Sequence, residues 1–184
     1  MRVQGSRKLV AGAVALAISL ALAACTPQKA VEAASKMAKI AMDPDTPLGP
    51  PKDQPSKATF SLYAEKGVNR NAFGQAAPVD VWIFQLSDDA KLRTLDFVTL
   101  SASAKEALGT SYVTHKETQV EPGKSKIIEE WEIKPDVTAL GVAVGFRNIQ
   151  SVNWRALDVI KAKGETYKIV VAIRASDVSI QIHR

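Results

Sequence analysis

The 184-residue chain has one cysteine, Cys25, so no disulfide can form within it. An exported domain without disulfides must be held by an ordinary apolar core. Aromatic residues make up only 6% of the chain, and there are two histidines, His115 and His183. That leaves little material for an aromatic-lined ligand cleft or a histidine metal site. No H-E-x-x-H, G-x-S-x-G or phosphate-loop pattern occurs. His115 and Glu117 share a face of any strand, but no nucleophile or third ligand accompanies them, so they read as a surface pair. Asp88 and Asp89 are neighbours that suit a helix start better than a carboxylate dyad. The sequence therefore reads as a non-enzyme with no cofactor and no metal. It also lacks a bilayer-spanning run: the apolar stretch from Leu9 to Ala24 falls short of the about 20 residues a membrane helix needs.

What is present at the N-terminus is a processing signal. Arg2, Arg7 and Lys8 form a basic region, Leu9 to Ala21 an apolar one, and Leu22-Ala23-Ala24-Cys25 closes the segment with small residues before the thiol. This is the pattern of a bacterial lipoprotein signal cleaved before Cys25, whose sulfur and new amine then carry acyl chains such as palmitate. Several chains anchor stably where one gives marginal binding. Thr26 occupies the place where Asp resembles an inner-membrane retention signal, so the expected destination is the outer membrane. Removing residues 1–24 leaves 21 basic against 19 acidic residues, a balance of +2. A near-neutral mature chain gives no argument for nucleic-acid binding.

Gln28 to Met42 is rich in Ala and Lys, with Val31, Ala34, Met37, Ala38 and Ala41 at helical spacing; it reads equally as a short helix or a solvated tether. Asp43 to Pro55 is proline-rich and expected to be an extended spacer. The expected layout is thus a signal at 1–24, a lipidated tether at 25–57 and a folded domain at 58–184.

That domain reads as strands. Ala58–Ala64 alternates Phe60, Leu62 and Ala64 with polar residues. Val79–Leu86 is apolar on both faces, as in a central strand. Tyr112–Val120 is a polar strand, followed by a Glu121-Pro122-Gly123-Lys124 turn. Ile127, Trp131 and Ile133 then fall on one face of the next strand. Ala139–Phe146, Trp154–Ile160, Tyr167–Ile173 and Val178–Ile182 complete the set. Short strands separated by frequent turns predict a mainly β sandwich. One or two short helices interrupt it. Ser87 is a candidate cap before Asp88 and Asp89, Ser103 and Glu106 fit a capping box, and Gly109 fits a helix end. Trp82 and Trp131 fall on core faces. Trp154 is expected to pack the sandwich edge, with Arg155 paired to an acid.

These segments line up in order with a known family. Pro78-Val79-Asp80-Val81-Trp82-Ile83-Phe84-Gln85-Leu86, Asp96-Phe97, Leu108-Gly109, Glu121-Pro122-Gly123, Leu140 to Arg147 and Trp154-Arg155 stand behind a lipobox. In this arrangement the chain resembles the TssJ (SciN-type) lipoproteins of type VI secretion systems, from about Thr59 to Ile182. The resemblance implies a transthyretin-like β-sandwich of two four-stranded sheets with a short helical insertion. It also implies an outer-membrane anchor that faces the periplasm and binds the periplasmic domain of TssM, in a complex that includes TssL. In the family the first inter-strand loop contributes to that contact. Here it runs from Glu65 to Ala77, and the implied contact residues are Lys66, Gly67, Val68, Asn69, Arg70, Asn71 and Phe73.

The same loop is long for a hairpin connection, and long loops are usually functional or mobile. Lys66 and Arg70 suit carboxylates. Phe73 is either an exposed apolar anchor or a residue folded back on the sandwich. A second function class stays open on the residues alone: a lipid-anchored periplasmic module that holds a small ligand or cell-wall glycan. That reading expects a concave, aromatic-lined pocket.

Overall fold

A computed structural model describes residues 50–184. The signal pattern, Cys25, the 28–42 segment and the start of the spacer lie outside the described residues. The spacer ends early. Pro51–Asp53 forms a 3-10 turn, the Gly164 amide donates to the Gln54 carbonyl (2.9 Å) and that of Ser56 to Ala162 (2.8 Å). Hydrogen bonding to the sandwich thus begins before Ala58.

Alternating apolar residues make the strands, and their pairing makes two four-stranded sheets. The first contains β1 (Lys57–Ala64), β4 (Ser125–Glu132), β7 (Thr166–Ile173) and β8 (Val178–His183), in the order β4-β1-β7-β8. The second contains β2 (Val79–Leu86), β3 (Tyr112–Val120), β5 (Ala139–Gly145) and β6 (Arg155–Val159), in the order β3-β2-β5-β6. Only β1 and β7 pair in parallel. The expected mainly β sandwich with a helical insertion is what forms.

Phe60 and Leu62 of β1, Val81 and Ile83 of β2, Val142 and Val144 of β5, and Tyr167, Ile169 and Val171 of β7 fill the space between the sheets. Burying each of these side chains contributes about 1.5–3 kcal/mol. Gln85 also points inward, and it is satisfied: Nε2 donates to the Glu132 carbonyl and Oε1 accepts from the Lys134 amide, both at 2.9 Å. It ties the second sheet to the end of the first.

The other face of β2 and β5 carries a second apolar cluster beneath three short helices, α1 (Ala90–Thr94), α2 (Phe97–Ala102) and α3 (Ala104–Leu108). Phe84, Leu86, Leu92, Leu100 and Leu108 meet there. This explains why β2 is apolar on both faces. On β5 the outward residues are Ala139, Gly141 and Ala143, small enough to admit the helices. A Cβ on Gly141 would collide with Leu92 Cδ2.

Several local expectations need correction. Ser87 does not cap a helix; its hydroxyl donates to the Thr110 carbonyl, and Asp89 occupies the cap position of α1. Ser103 precedes α3 but its side chain makes no capping bond, so the Ser103–Glu106 capping box does not form. The cap that does form is Asp96, whose carboxylate accepts from the Thr99 amide (2.9 Å) and hydroxyl (2.7 Å). Gly109 does end α3, at φ 57°. In β4, Ile127 faces outward and is 60% exposed, while Ile128 packs on the core. The cause is a register shift: Ala58 faces Trp131 but Phe60 faces Ile128, so one strand spends an extra residue there and reverses its faces.

Candidate partner-binding loop

The loop between β1 and β2 is anchored before it protrudes. The Val68 amide donates to the Glu65 carbonyl (3.1 Å), and the Val68 side chain is fully buried in the core. Val68 is therefore a root of the loop and not an exposed contact. Asn69 follows at φ 54°, a left-handed conformation that Asn tolerates better than most side chains. Its Nδ2 donates to the Pro78 carbonyl and its Oδ1 accepts from the Arg147 amide, each at 2.8 Å. One side chain thus fastens the start of the loop both to its own end and to the exit of β5.

The tip is built on Asn71. Its Oδ1 accepts from the amides of Phe73 (2.9 Å) and Gln75 (3.0 Å), and its Nδ2 donates to Gln75 Oε1 (3.0 Å). Gly74 supplies the positive φ that the turn requires, 77°. Arg70 Nη1 donates to the Gly74 carbonyl at 2.6 Å. The result is a closed tip with Phe73 at its crest, 88% exposed. Phe73 does not fold back. Lys66 lies against the β3–β4 turn, where its Cγ would be 2.9 Å from a Cβ on Gly123. Gly67 sits half-buried beside the Arg70 guanidinium. Of the seven residues implied by the resemblance, Lys66, Arg70 and Phe73 present exposed side chains, while Val68, Asn69 and Asn71 hold the loop's shape.

Two further segments reach this end of the sandwich, and sequence alone assigns neither a place at the site. From these segments, residues 146–152 and 174–177, Phe146, Asn148, Ser151, Val152, Ala175 and Ser176 join Gly67, Asn69 and Arg70 in lining an open groove of about 320 Å³. Glu65 links loop and flank by accepting from the Ala175 amide at 3.0 Å. The pairing of Asn69 with residue 147 spans the two sheets' connections and has no local sequence signature. The clue was the Asn itself, a residue suited to a left-handed turn.

The remaining candidates are structural. His115 lies between Tyr112 Oη (2.8 Å to Nδ1) and Glu117 (2.9 Å to Nε2), as a surface pair on β3. Trp154 packs edge-on to Phe97, with ring centroids 5.2 Å apart. Arg155 stacks on Trp154, 4.6 Å from the ring centroid. Its Nη1 donates to the Leu95 carbonyl, so its partner is a backbone oxygen and not the acid expected. With Arg155 stacked on its ring and Phe97 packed T-shaped against it, Trp154 is not a free platform for a sugar. Among the described residues no group of His, Cys, Asp or Glu is arranged to hold a metal, and no helix is long and apolar enough to cross a membrane.

The site is thus a braced, apolar-tipped loop at one end of a two-sheet β-sandwich. The model of the T6SS-SciN family, type VI secretion lipoproteins that include VasD, EvfM and TssJ, matches residues 56–178. The chain belongs to this family. Among solved structures, the T6SS lipoprotein TssJ1 from Pseudomonas aeruginosa is 25% identical with a TM-score of 0.65, covering 71% of this chain and 98% of that one. Serratia marcescens Lip, a membrane-bound component of the type VI secretion system, is 22% identical with a TM-score of 0.62, over 71% and 98%. A chain of a type VI membrane complex is 19% identical with a TM-score of 0.61, over 70% and 99%. A search of curated proteins finds no match.

Proposed function

We propose that this chain is processed before Cys25, lipidated there, and held in the outer membrane with its sandwich in the periplasm. There the Glu65–Ala77 loop grips the periplasmic domain of TssM, in a complex that also contains TssL. Residues 25 to about 53 act as the tether. One observation carries the reading. The spacer enters β1 at Lys57, and the loop leaves β1 at Ala64, so the two lie at opposite ends of an eight-residue strand. That strand is about 25 Å long. A domain tethered at one end then offers its braced loop at the other, away from the anchored side. The similar chain from a type VI membrane complex supports the assembly role.

The test replaces Arg70–Gln75 with a Gly-Ser linker and keeps Val68 and Asn69, which hold the core and the loop base. The expected result is a native circular dichroism spectrum and lost binding to the purified TssM periplasmic domain. Undiminished affinity in the replaced protein would move the site elsewhere.

A further inference from the structure

We infer that the loop end of the sandwich is a two-part footprint, an apolar tip set among unpaired cations, which fits a partner surface with an apolar socket rimmed by carboxylates. The inference rests on the TssM reading above and supplies the chemistry of that contact.

The apolar part is Phe73, 88% exposed on a tip that is not slack. Asn71 Oδ1 holds the Phe73 and Gln75 amides, and Arg70 clamps the Gly74 carbonyl. A ring presented in one geometry before contact loses little freedom on binding. An exposed aromatic on such a support is the kind of residue that concentrates interface energy once a pocket desolvates it.

The charged part is contributed by three separate segments. Lys124 comes from the β3–β4 turn, Lys66 and Arg70 from the loop, and Arg147 from the exit of β5. The contact of Lys66 with Gly123 and the bond from the Arg147 amide to Asn69 bring those segments side by side. All four cations are exposed, and none forms an ion pair with a described residue. Of the acids at this end, Asp177 pairs with Arg174 at 2.7 Å, Glu65 holds the Ala175 amide and Asp80 accepts from Gln119, while Glu121 is exposed in the turn that carries Lys124, so only Asp177 among these acids is matched by an ion pair. The four cations Lys66, Arg70, Lys124 and Arg147 outnumber the carboxylates Glu65, Asp80 and Glu121 that lack an ion pair here, and such a net positive rim favours an acidic surface and speeds its approach.

The experiment measures Kd and association rate of the lipidated protein in detergent, with purified TssM periplasmic domain as the probe, at about 50 mM and about 300 mM salt. Parent affinity should fall as salt rises. The Lys66→Glu/Arg147→Glu variant should raise Kd at least about 10-fold at low salt, chiefly through association, and flatten the salt dependence. Phe73→Ala should raise Kd about 30-fold and leave the salt dependence as in the parent. Phe73→Leu should restore most of the loss. Among the described residues none of these three side chains makes a hydrogen bond, so circular dichroism should be unchanged. An unaltered salt dependence in the charge-reversed variant, or parent-like affinity in Phe73→Ala, overturns the footprint. If the linker replacement abolishes binding while these variants bind normally, this inference falls and the TssM reading stands. If the parent does not bind, both fall.

Discussion

Asn69 is the residue on which the loop's geometry most depends, and its contribution divides into two separable parts. Asn69→Ala removes the bonds to the Pro78 carbonyl and the Arg147 amide, each 2.8 Å long. Such bonds contribute about 0.5–1.5 kcal/mol apiece. Alanine must also hold φ near 54°, at a further cost of about 1–2 kcal/mol. The total loss is about 2–5 kcal/mol. Asn69→Gly loses the same bonds without the φ strain but gains freedom in the unfolded chain, so it should exceed the alanine variant by about 0.5–1 kcal/mol. Asn69→Asp keeps an acceptor for the Arg147 amide yet sets a carboxylate against the Pro78 carbonyl, and should be less stable than the parent. The assay is urea unfolding followed by tryptophan fluorescence. A loss of about 3 kcal/mol would lower the midpoint by roughly 1–3 M at the slopes usual for small domains in urea. An alanine variant as stable as the parent, or more stable than the glycine variant, would refute the account of Asn69 as both a bridge and a left-handed residue.

Two further outcomes follow from the geometry and a third from the N-terminal signal pattern. Gly141→Ala drives a Cβ into Leu92 Cδ2 and should destabilise by about 1–3 kcal/mol in thermal melts; adding Leu92→Ala should then cost less than it does in the parent, and simple additivity would contradict the packing claim. The Thr99 amide, then its hydroxyl, hold the Asp96 carboxyl below its ordinary value near 3.8. The cap's contribution is therefore present above that value and lost as pH falls through the lowered one, so parent and Asp96→Asn melting curves should differ at neutral pH and converge in acid. Cys25→Ser should remove the chain from outer-membrane fractions, and normal fractionation would count against the lipid anchor.

The sandwich was legible because its strands carry period-2 patterns dense enough to survive local noise. The double-faced apolar run of β2 announced a central strand. What stayed hidden was whatever depends on one extra residue or one distant partner. The β4 bulge reversed Ile127 and Ile128, since a single inserted residue exchanges the two faces and leaves composition untouched. Ser87 and Ser103 matched a capping pattern, yet Thr110 and the backbone geometry took precedence. At the candidate site, loop length and Phe73 were readable. The bracing by residue 147, the buried root at Val68 and the flanking 174–177 turn were not, because each arises from strands far apart in sequence.

The order of elements also determines how the proposed assembly bears load. If the lipid holds the spacer and the partner holds the Arg70–Gln75 tip, tension enters at the base of β1 and leaves just beyond its end. Both ends of the same strand are pulled, so the force runs along the covalent backbone of β1. Its neighbours β4 and β7 are paired along its length and are not sheared from it by that tension. The remaining strands stand outside the load path. Attaching handles at Gln54 and Phe73 in a pulling experiment should therefore leave the sandwich intact at forces that unfold it through handles at Gln54 and Arg184. The second geometry can release the whole domain, at roughly 3.5 Å per residue. Cooperative unfolding at equal or lower force through the loop handle would mean that β1 is not the load-bearing link. A small domain without disulfides would then have to resist envelope tension through its hydrogen bonds and apolar core alone.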